Sequence, residues 1–108
     1  MVFLIKVMKL VGRVALRWML YGANSVLGRR LVRQALRRGY SPTLGGRQMS
    51  TVFALSREFG LDSRIFNPDD KLIAYECLAD IDVVVNCSGQ LGLAACCLAS
   101  NVHYLDPD

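Results

Sequence analysis

At 108 residues the chain is sized for one domain with a real core and falls short of the two-domain length common among cofactor-dependent enzymes. Its formal charge of +4 hides an asymmetry: every basic residue except Arg64 and Lys71 precedes Glu58, the first acid, and a half so basic suits phosphorylated ligands, nucleic acid or an anionic membrane surface. The four cysteines sit inside apolar segments without metal-ligand spacing or the even scatter of a secreted disulfide scaffold, and His103 is the only histidine. This pattern argues against a metal site and for a reducing, cytoplasmic compartment.

Residues 1–16 are apolar but broken by Lys6, Lys9 and Arg13, too short and too interrupted to span a bilayer. With Arg17 these cations recur at spacings of three and four, which draws a basic stripe beside an apolar helical face. The segment reads as an element packed on the domain, as an interfacial membrane anchor, or as an extension. From residue 17 to residue 108 no linker, low-complexity tract or repeat interrupts the pattern, so one domain is expected there.

Trp18-Met19-Leu20-Tyr21 predicts a strand that ends in Gly22-Ala23-Asn24-Ser25-Val26-Leu27-Gly28. A helix over Ser25 to Arg38 follows at once, with Leu27, Gly28, Leu31, Val32, Ala35 and Leu36 inward, Arg29, Arg33 and Arg37 outward, and Gly39 as its left-handed stop. Pro42 to Gly45 is extended and leads to Gly46-Arg47. Val52, Leu55 and Phe59 mark a second helix closed by Gly60. Arg64-Ile65-Phe66 predicts a third strand, and Asp69 the N-cap of a third helix that carries Leu72, Tyr75 and Leu78 toward Asp80. Asp62, Asp80 and Asp82 read as turn and cap residues. The β-branched run from Asp82 to Cys87 suits a strand covered on both faces. A small-residue helix over Leu91 to Ala99, with Cys96 and Cys97 packing on different faces, and a strand over Val102 to Leu105 complete the order. Strands alternating with helices at these intervals predict an α/β, doubly wound parallel sheet of about five strands with helices on both faces, the Rossmann-like arrangement.

A strand that ends in a glycine turn and feeds a helix aims unpaired backbone N–H groups at one spot, where a pyrophosphate can sit against the positive end of the helix dipole. Gly28 falls where close packing of the helix is needed, and Ser25 holds the middle position, where its hydroxyl either meets phosphate or caps the helix. At the end of the second strand an NAD site places an acid on the adenosine ribose, whereas a 2′-phosphate favours arginine. Gly45-Gly46-Arg47 stands there with no acid nearby, which favours NADP(H); the alternative is a solvated Arg47 in a simple turn. Asn67, after the third strand, is placed to meet the adenine edge, and Asn86-Cys87-Ser88-Gly89 forms a loop at the same sheet edge. Cys87 reads as a small buried residue and not a nucleophile, since no base lies near it in sequence, and His103 as a core or rim residue.

Together, Trp18 to Ala23 with Gly28, Leu44-Gly45-Gly46-Arg47, Val83 to Gly89 and His103-Tyr104-Leu105-Asp106 resemble the NADP-binding domain of the saccharopine dehydrogenase-like family, including its trans-acting enoyl reductase branch. The resemblance runs from Arg17 to Asp106. In that family the turn reads Gly-Ala-Thr-Gly-Tyr-Thr-Gly, the second strand ends in Ala-Gly-Arg, and the fourth runs into Asn-Cys-Ala-Gly-Pro. This chain departs at Ser25, at Asn67, where an aspartate is common, at Gln90, where a proline stiffens the loop, and in a shorter stretch between Gly89 and His103.

The resemblance implies a module of an oxidoreductase, with cofactor contacts from Gly22, Asn24, Ser25, Val26, Leu27, Gly28, Arg47, Asn67, Cys87, Ser88 and Gly89. Asp108 precedes the Gly-Glu that follows the last strand in relatives, and the substrate and dimerisation domain has no counterpart in the sequence. The expectation is therefore a truncated module that positions a hydride donor without a catalytic residue of its own, completed by a missing catalytic domain or by a second copy across an exposed sheet edge. A different class is a non-catalytic Rossmann-like interaction module whose basic N-terminal segment meets a membrane or a partner. Nucleic acid is not expected, because no aromatic residues interleave with the arginines to stack bases.

Overall fold

The computed structural model describes Lys6, Val7, Lys9 and residues 17–106. Along β1 (Trp18–Tyr21) all four side chains are buried, as a strand covered on both faces requires: Trp18 and Leu20 join one core cluster, Met19 and Tyr21 the other. After it come α1 (Val26–Arg37), β2 (Thr43–Gly46), α2 (Met49–Phe59), β3 (Ser63–Ile65), α3 (Lys71–Leu78), β4 (Val83–Asn86), α4 (Leu93–Ala99) and β5 (His103–Leu105). The five strands form one parallel sheet in the order β3-β2-β1-β4-β5. This is the expected doubly wound architecture.

Leu31, Val32 and Ala35 of α1 and Leu55 of α2 pack on the face of Trp18, Leu20, Val83 and Val85. Ala74 and Leu78 of α3, with Leu93, Cys96 and Cys97 of α4, cover the opposite face against Met19, Tyr21 and Val84. Burying a valine or leucine in such a layer stabilises by about 1.5–3 kcal/mol. The chain thus winds outward from β1 through β2 to β3, then returns on the other side of β1 to β4. That reversal leaves a crevice between β1 and β4 at the carboxyl ends of the strands. Register aligns the exit points, with Tyr21 beside both Gly45 and Asn86.

Several expectations shift in detail. Leu36 is exposed, because α1 lies on the sheet by its Gly28, Leu31, Val32 and Ala35 stripe, with Leu27 half-buried beside it. Strand β3 starts and ends one residue early, and α3 is preceded by Asp70, whose side chain makes no capping bond, so Asp69 is not the N-cap. Helix α3 buries Ala74 and Leu78, a spacing of four, and leaves Leu72 77% exposed and Tyr75 at the surface. The small Ala74 is what lets the helix approach the sheet. Helix α4 begins at Leu93, with Leu91 in solvent. Cys96 and Cys97 are both buried in the cluster on this side of the sheet, and all four cysteines are free thiols.

Lys6, Val7 and Lys9 are helical; Val7 is buried among the α1-side cluster while both lysines are exposed. Arg13 and the remainder of the expected basic stripe, and Asp108, lie outside the described residues. At the amino ends of the strands, Asp80 takes a bidentate contact from Arg64 and a second ion pair from Arg17 at 3.1 Å, and Asp82 accepts the Arg17 backbone N–H. Asp80 lies in the turn after α3 and Asp82 in the bend before β4, as read, and their side chains also tie elements together. Among the described residues no helix is long and apolar enough to cross a membrane.

Candidate functional site

Gly22 leaves β1 with φ +82° and donates its N–H to the Gly45 carbonyl at 2.9 Å, so the turn stays joined to β2 after the strand ends. A Cβ at Gly22 would lie 2.5 Å from Ser88 Cβ. The β1 turn and the loop after β4 are therefore in backbone contact, and no side chain fits between them. Ser25 is the N-cap of α1: its hydroxyl oxygen accepts from the Gly28 N–H at 3.0 Å and its proton goes to the Gly22 carbonyl at 3.2 Å. A Cβ at Gly28 would lie 2.6 Å from Ala23 Cα, so the close approach here is between the helix and the turn itself. Asn24 and Val26 are exposed, and Leu27 packs half-buried on the α1-side core.

The β2 turn is built differently. Gly45 and Gly46 are strand residues packed under Met19, Tyr21 and Val52, not members of a loose turn. Arg47 follows, exposed and without an ion-pair partner among the described residues. Helix α2 then starts at Gln48, whose side chain makes no capping bond, and its first turn holds no acid. The first backbone amides of a helix lack partners within it, so this end of α2 presents uncompensated N–H groups and the positive end of the helix dipole. Thr51, in that first turn, donates its hydroxyl to Gln48 Oε1 at 3.3 Å.

Both turns open into one cavity of about 260 Å³, walled by Gly22, Asn24, Arg47, Gln48, Thr51, Ser88 and Gln90. Its lining contains no carboxylate. Tyr21 forms part of the floor. Its hydroxyl donates to the Phe66 carbonyl at 2.7 Å, and burial pushes its pKa up to about 12 against the opposing pull of Arg47. A second cavity of about 250 Å³ lies across the loop after β4, bounded by Asn86, Cys87, Gly89, Gln90, Tyr104 and Asp106 among others. Burial alone pushes the Cys87 thiol up to about 11, which keeps it protonated near neutral pH and fits a packing residue.

Of the residues singled out in the sequence, Gly22, Asn24, Arg47 and Ser88 line the first cavity and Cys87 and Gly89 the second. Ser25, Val26, Leu27 and Gly28 form the start of α1 beside it, and Asn67 lines neither, its side-chain oxygen accepting the Asp69 N–H at 3.0 Å. His103 sits exposed on the edge strand β5. Sequence reading missed Gln48, Thr51 and Tyr104, placed Asn86 in the crevice loop without giving its side chain a role, and treated Gln90 only as a departure. For Asn86 a signal existed, an asparagine two residues before a serine at the end of an apolar strand, the pattern of a side chain that turns back onto its own loop.

No protein-family model matches the sequence, and no curated protein matches it significantly. Solved structures do resemble it in fold. A nucleoside-diphosphate-sugar epimerase from Pseudomonas aeruginosa superposes with a TM-score of 0.72 at 22% identity, covering 86% of this chain and 33% of its own. Saccharopine dehydrogenase (L-Glu forming) from Saccharomyces cerevisiae, in its apo form, gives 0.74 at 15% identity over 86% of this chain and 22% of its own. AtPrR2, solved with NADP+ and (+)pinoresinol, gives 0.67 at 19% identity over 82% of this chain and 35% of its own. The chain spans about a third or less of the length of the first two. With the five-stranded parallel sheet and its switch-point crevice, these likenesses place the chain in the Rossmann-like α/β fold.

Proposed function

We propose that the chain is an NADP(H)-binding module of an oxidoreductase of the saccharopine dehydrogenase-like kind. The observation that carries this reading is that the switch-point cavity is walled by the turn that leads into α1, by the uncapped start of α2 and by Arg47, without a single carboxylate. Such a lining suits a ligand with phosphates at two places and repels nothing anionic. In this reading the first-turn amides of α1, at Val26 and Leu27, hold the pyrophosphate, and Arg47 with the uncapped start of α2 holds the 2′-phosphate. Asn24, Ser25 and Gly28 shape the first turn, Asn67 borders the adenine side, and Cys87, Ser88 and Gly89 flank the nicotinamide side. The bound cofactor would supply hydride transfer; the chain's own residues orient it, and no catalytic residue is assigned to the chain.

Titration of NADPH and of NADH, followed by nucleotide fluorescence and by thermal stability, tests the reading. NADPH is expected to bind more tightly than NADH, and no response to either nucleotide at millimolar concentration would sink it. We further propose that the protein acts in a reducing, cytoplasmic compartment, with its remaining catalytic parts supplied by another domain or a second copy.

A second reading is a non-catalytic module that docks by its basic side. It is favoured by Arg30, Arg33 and Arg37, exposed on α1, and Arg38 at its C-cap, over the same face of the sheet where Val7 is buried and Lys6 and Lys9 are exposed. Co-sedimentation with anionic vesicles, compared with a chain starting at Arg17, separates the two.

A further inference from the structure

Among the described residues Asn86 is the one buried polar residue, 3% exposed at the carboxyl end of β4, and its side chain uses both ends. Its Oδ1 accepts the Ser88 N–H at 2.9 Å and the Ser88 hydroxyl at 2.6 Å. Its Nδ2 donates to the Gln90 carbonyl at 3.1 Å and to the Tyr104 hydroxyl at 2.9 Å. Ser88 passes the constraint on, because its Oγ accepts the Gln90 N–H at 3.0 Å. One buried amide thus fixes the loop after β4 at both its near and far ends and ties it to β5.

That loop is the partition between the two cavities. Ser88 and Gln90 face the first, while Cys87, Gly89 and Gln90 face the second, where Tyr104 and Asp106 close the other side. Ser88 is also the residue against which Gly22 leaves no room for a Cβ, so a shift of Ser88 moves the wall that the β1 turn rests on. An asparagine that satisfies four hydrogen bonds while buried is costly to replace, yet an alanine would leave β4 itself in place, since its ladder runs through backbone groups.

We infer that Asn86 is a positioning residue: it sets the loop at 87–90 as a shared wall and couples Tyr104 on β5 to the nucleotide cavity. The inference rests on the dinucleotide reading for its ligand but not for its loop geometry. Two measurements on the full chain separate these: amide hydrogen exchange of Ser88 and Gln90 without nucleotide, and NADPH titration. Asn86→Ala is expected to speed exchange at both amides and to weaken NADPH about tenfold, the effect of losing buried hydrogen bonds. Tyr104→Phe, which removes one of the four bonds, is expected to speed exchange at Gln90 and to weaken NADPH about two- to fivefold, so it carries the test if Asn86→Ala does not fold.

Val84→Ala, in β4 but on neither cavity, controls for simple loss of stability and is expected to lower the melting temperature while keeping NADPH affinity within about twofold. The inference is overturned if the Asn86 and Tyr104 variants keep wild-type exchange at these amides, or if Val84→Ala weakens NADPH as much as they do. Altered exchange in a protein that binds no NADPH would overturn the dinucleotide reading and leave the loop-positioning role standing.

Discussion

Two helix starts lie at the same cavity, α1 through the turn that leads into it and α2 through its own first residues, and they are finished in opposite ways. At α1 the Ser25 hydroxyl already occupies the Gly28 N–H, and both glycines of the turn have steric reasons inside the protein: Gly22 against Ser88, Gly28 against Ala23. At α2 no side chain caps the helix, no acid compensates its dipole, and Arg47 stands beside it without an ion pair among the described residues. A feature that packing explains in full says little about a ligand. The α1 turn shapes the site, and the α2 turn carries the unmet electrostatic demand that an anion would satisfy.

The largest effect expected from breaking this contrast lies in the α1 turn and concerns folding. Gly22 and Gly39 have nearly the same positive φ, +82° and +81°, but an added Cβ overlaps Ser88 at Gly22 and meets nothing within 4 Å at Gly39. Alanine at Gly39 should cost only the backbone strain, about 1–2 kcal/mol. At Gly22 the overlap should add about 1–3 kcal/mol to that. Urea denaturation measures both, and equal losses would show that the turn does not lean on the β4 loop.

At the α2 turn the expected effect is on ligand choice. Arg47→Ala should weaken NADPH about ten- to a hundredfold, the value of a charge-assisted contact of about 1.5–3 kcal/mol, and leave NADH within about threefold. Stability should hardly change, because Arg47 is exposed. Equal losses for the two nucleotides would remove the 2′-phosphate from this turn.

Ser25 offers a finer cut, since its capping role and its proximity to a phosphate can be separated. Loss of the cap in Ser25→Ala should cost about 1 kcal/mol, whereas Ser25→Gly should cost only a few tenths, because glycine tolerates the N-cap position. With the competing hydroxyl gone, Ser25→Gly should also bind NADPH more tightly than wild type. Weaker binding by the glycine variant would mean that the hydroxyl holds phosphate directly.

Much of the scaffold was legible because its signals are local. Trp18 to Tyr21 and the run at Val83 to Asn86 are strands wherever a chain must bury both faces, and Gly39 and Gly60 stop their helices with positive φ as read. The inward face of α3 was not legible, because Leu72 and Tyr75 are larger than Ala74 and composition cannot show that the helix needs a small residue to reach the sheet. Arg47 could be read, since its position at the end of β2 follows from element order. Gln48 and Thr51 could not, for the missing cap that makes them relevant is a property of side-chain geometry. Asn86 and Tyr104 meet across 18 residues, and only the sheet order brings them together.

The smallest expected effect tests whether the far end of the sheet is independent of the two turns. Asp80 is held down to about 2, first by the Arg64 hydrogen bonds and then by the Arg64 and Arg17 charges, and its side chain is 41% exposed. A carboxylate whose folded pKa is depressed adds stability above its unfolded pKa of about 4 and loses that contribution as pH falls toward about 2. Solvent screening at this exposure limits the loss in Asp80→Asn to about 1 kcal/mol at pH 7. The gap between variant and wild type in urea midpoint should therefore narrow below pH 4 and shrink with added salt. Because Arg17, Arg64 and Asp80 sit at the amino ends of the strands, the ratio of NADPH to NADH affinity should stay unchanged. A shifted ratio would mean that the network at one end of the sheet sets the geometry of the α2 turn at the other, and the separation between a shaping turn and a binding turn would then need a longer-range cause.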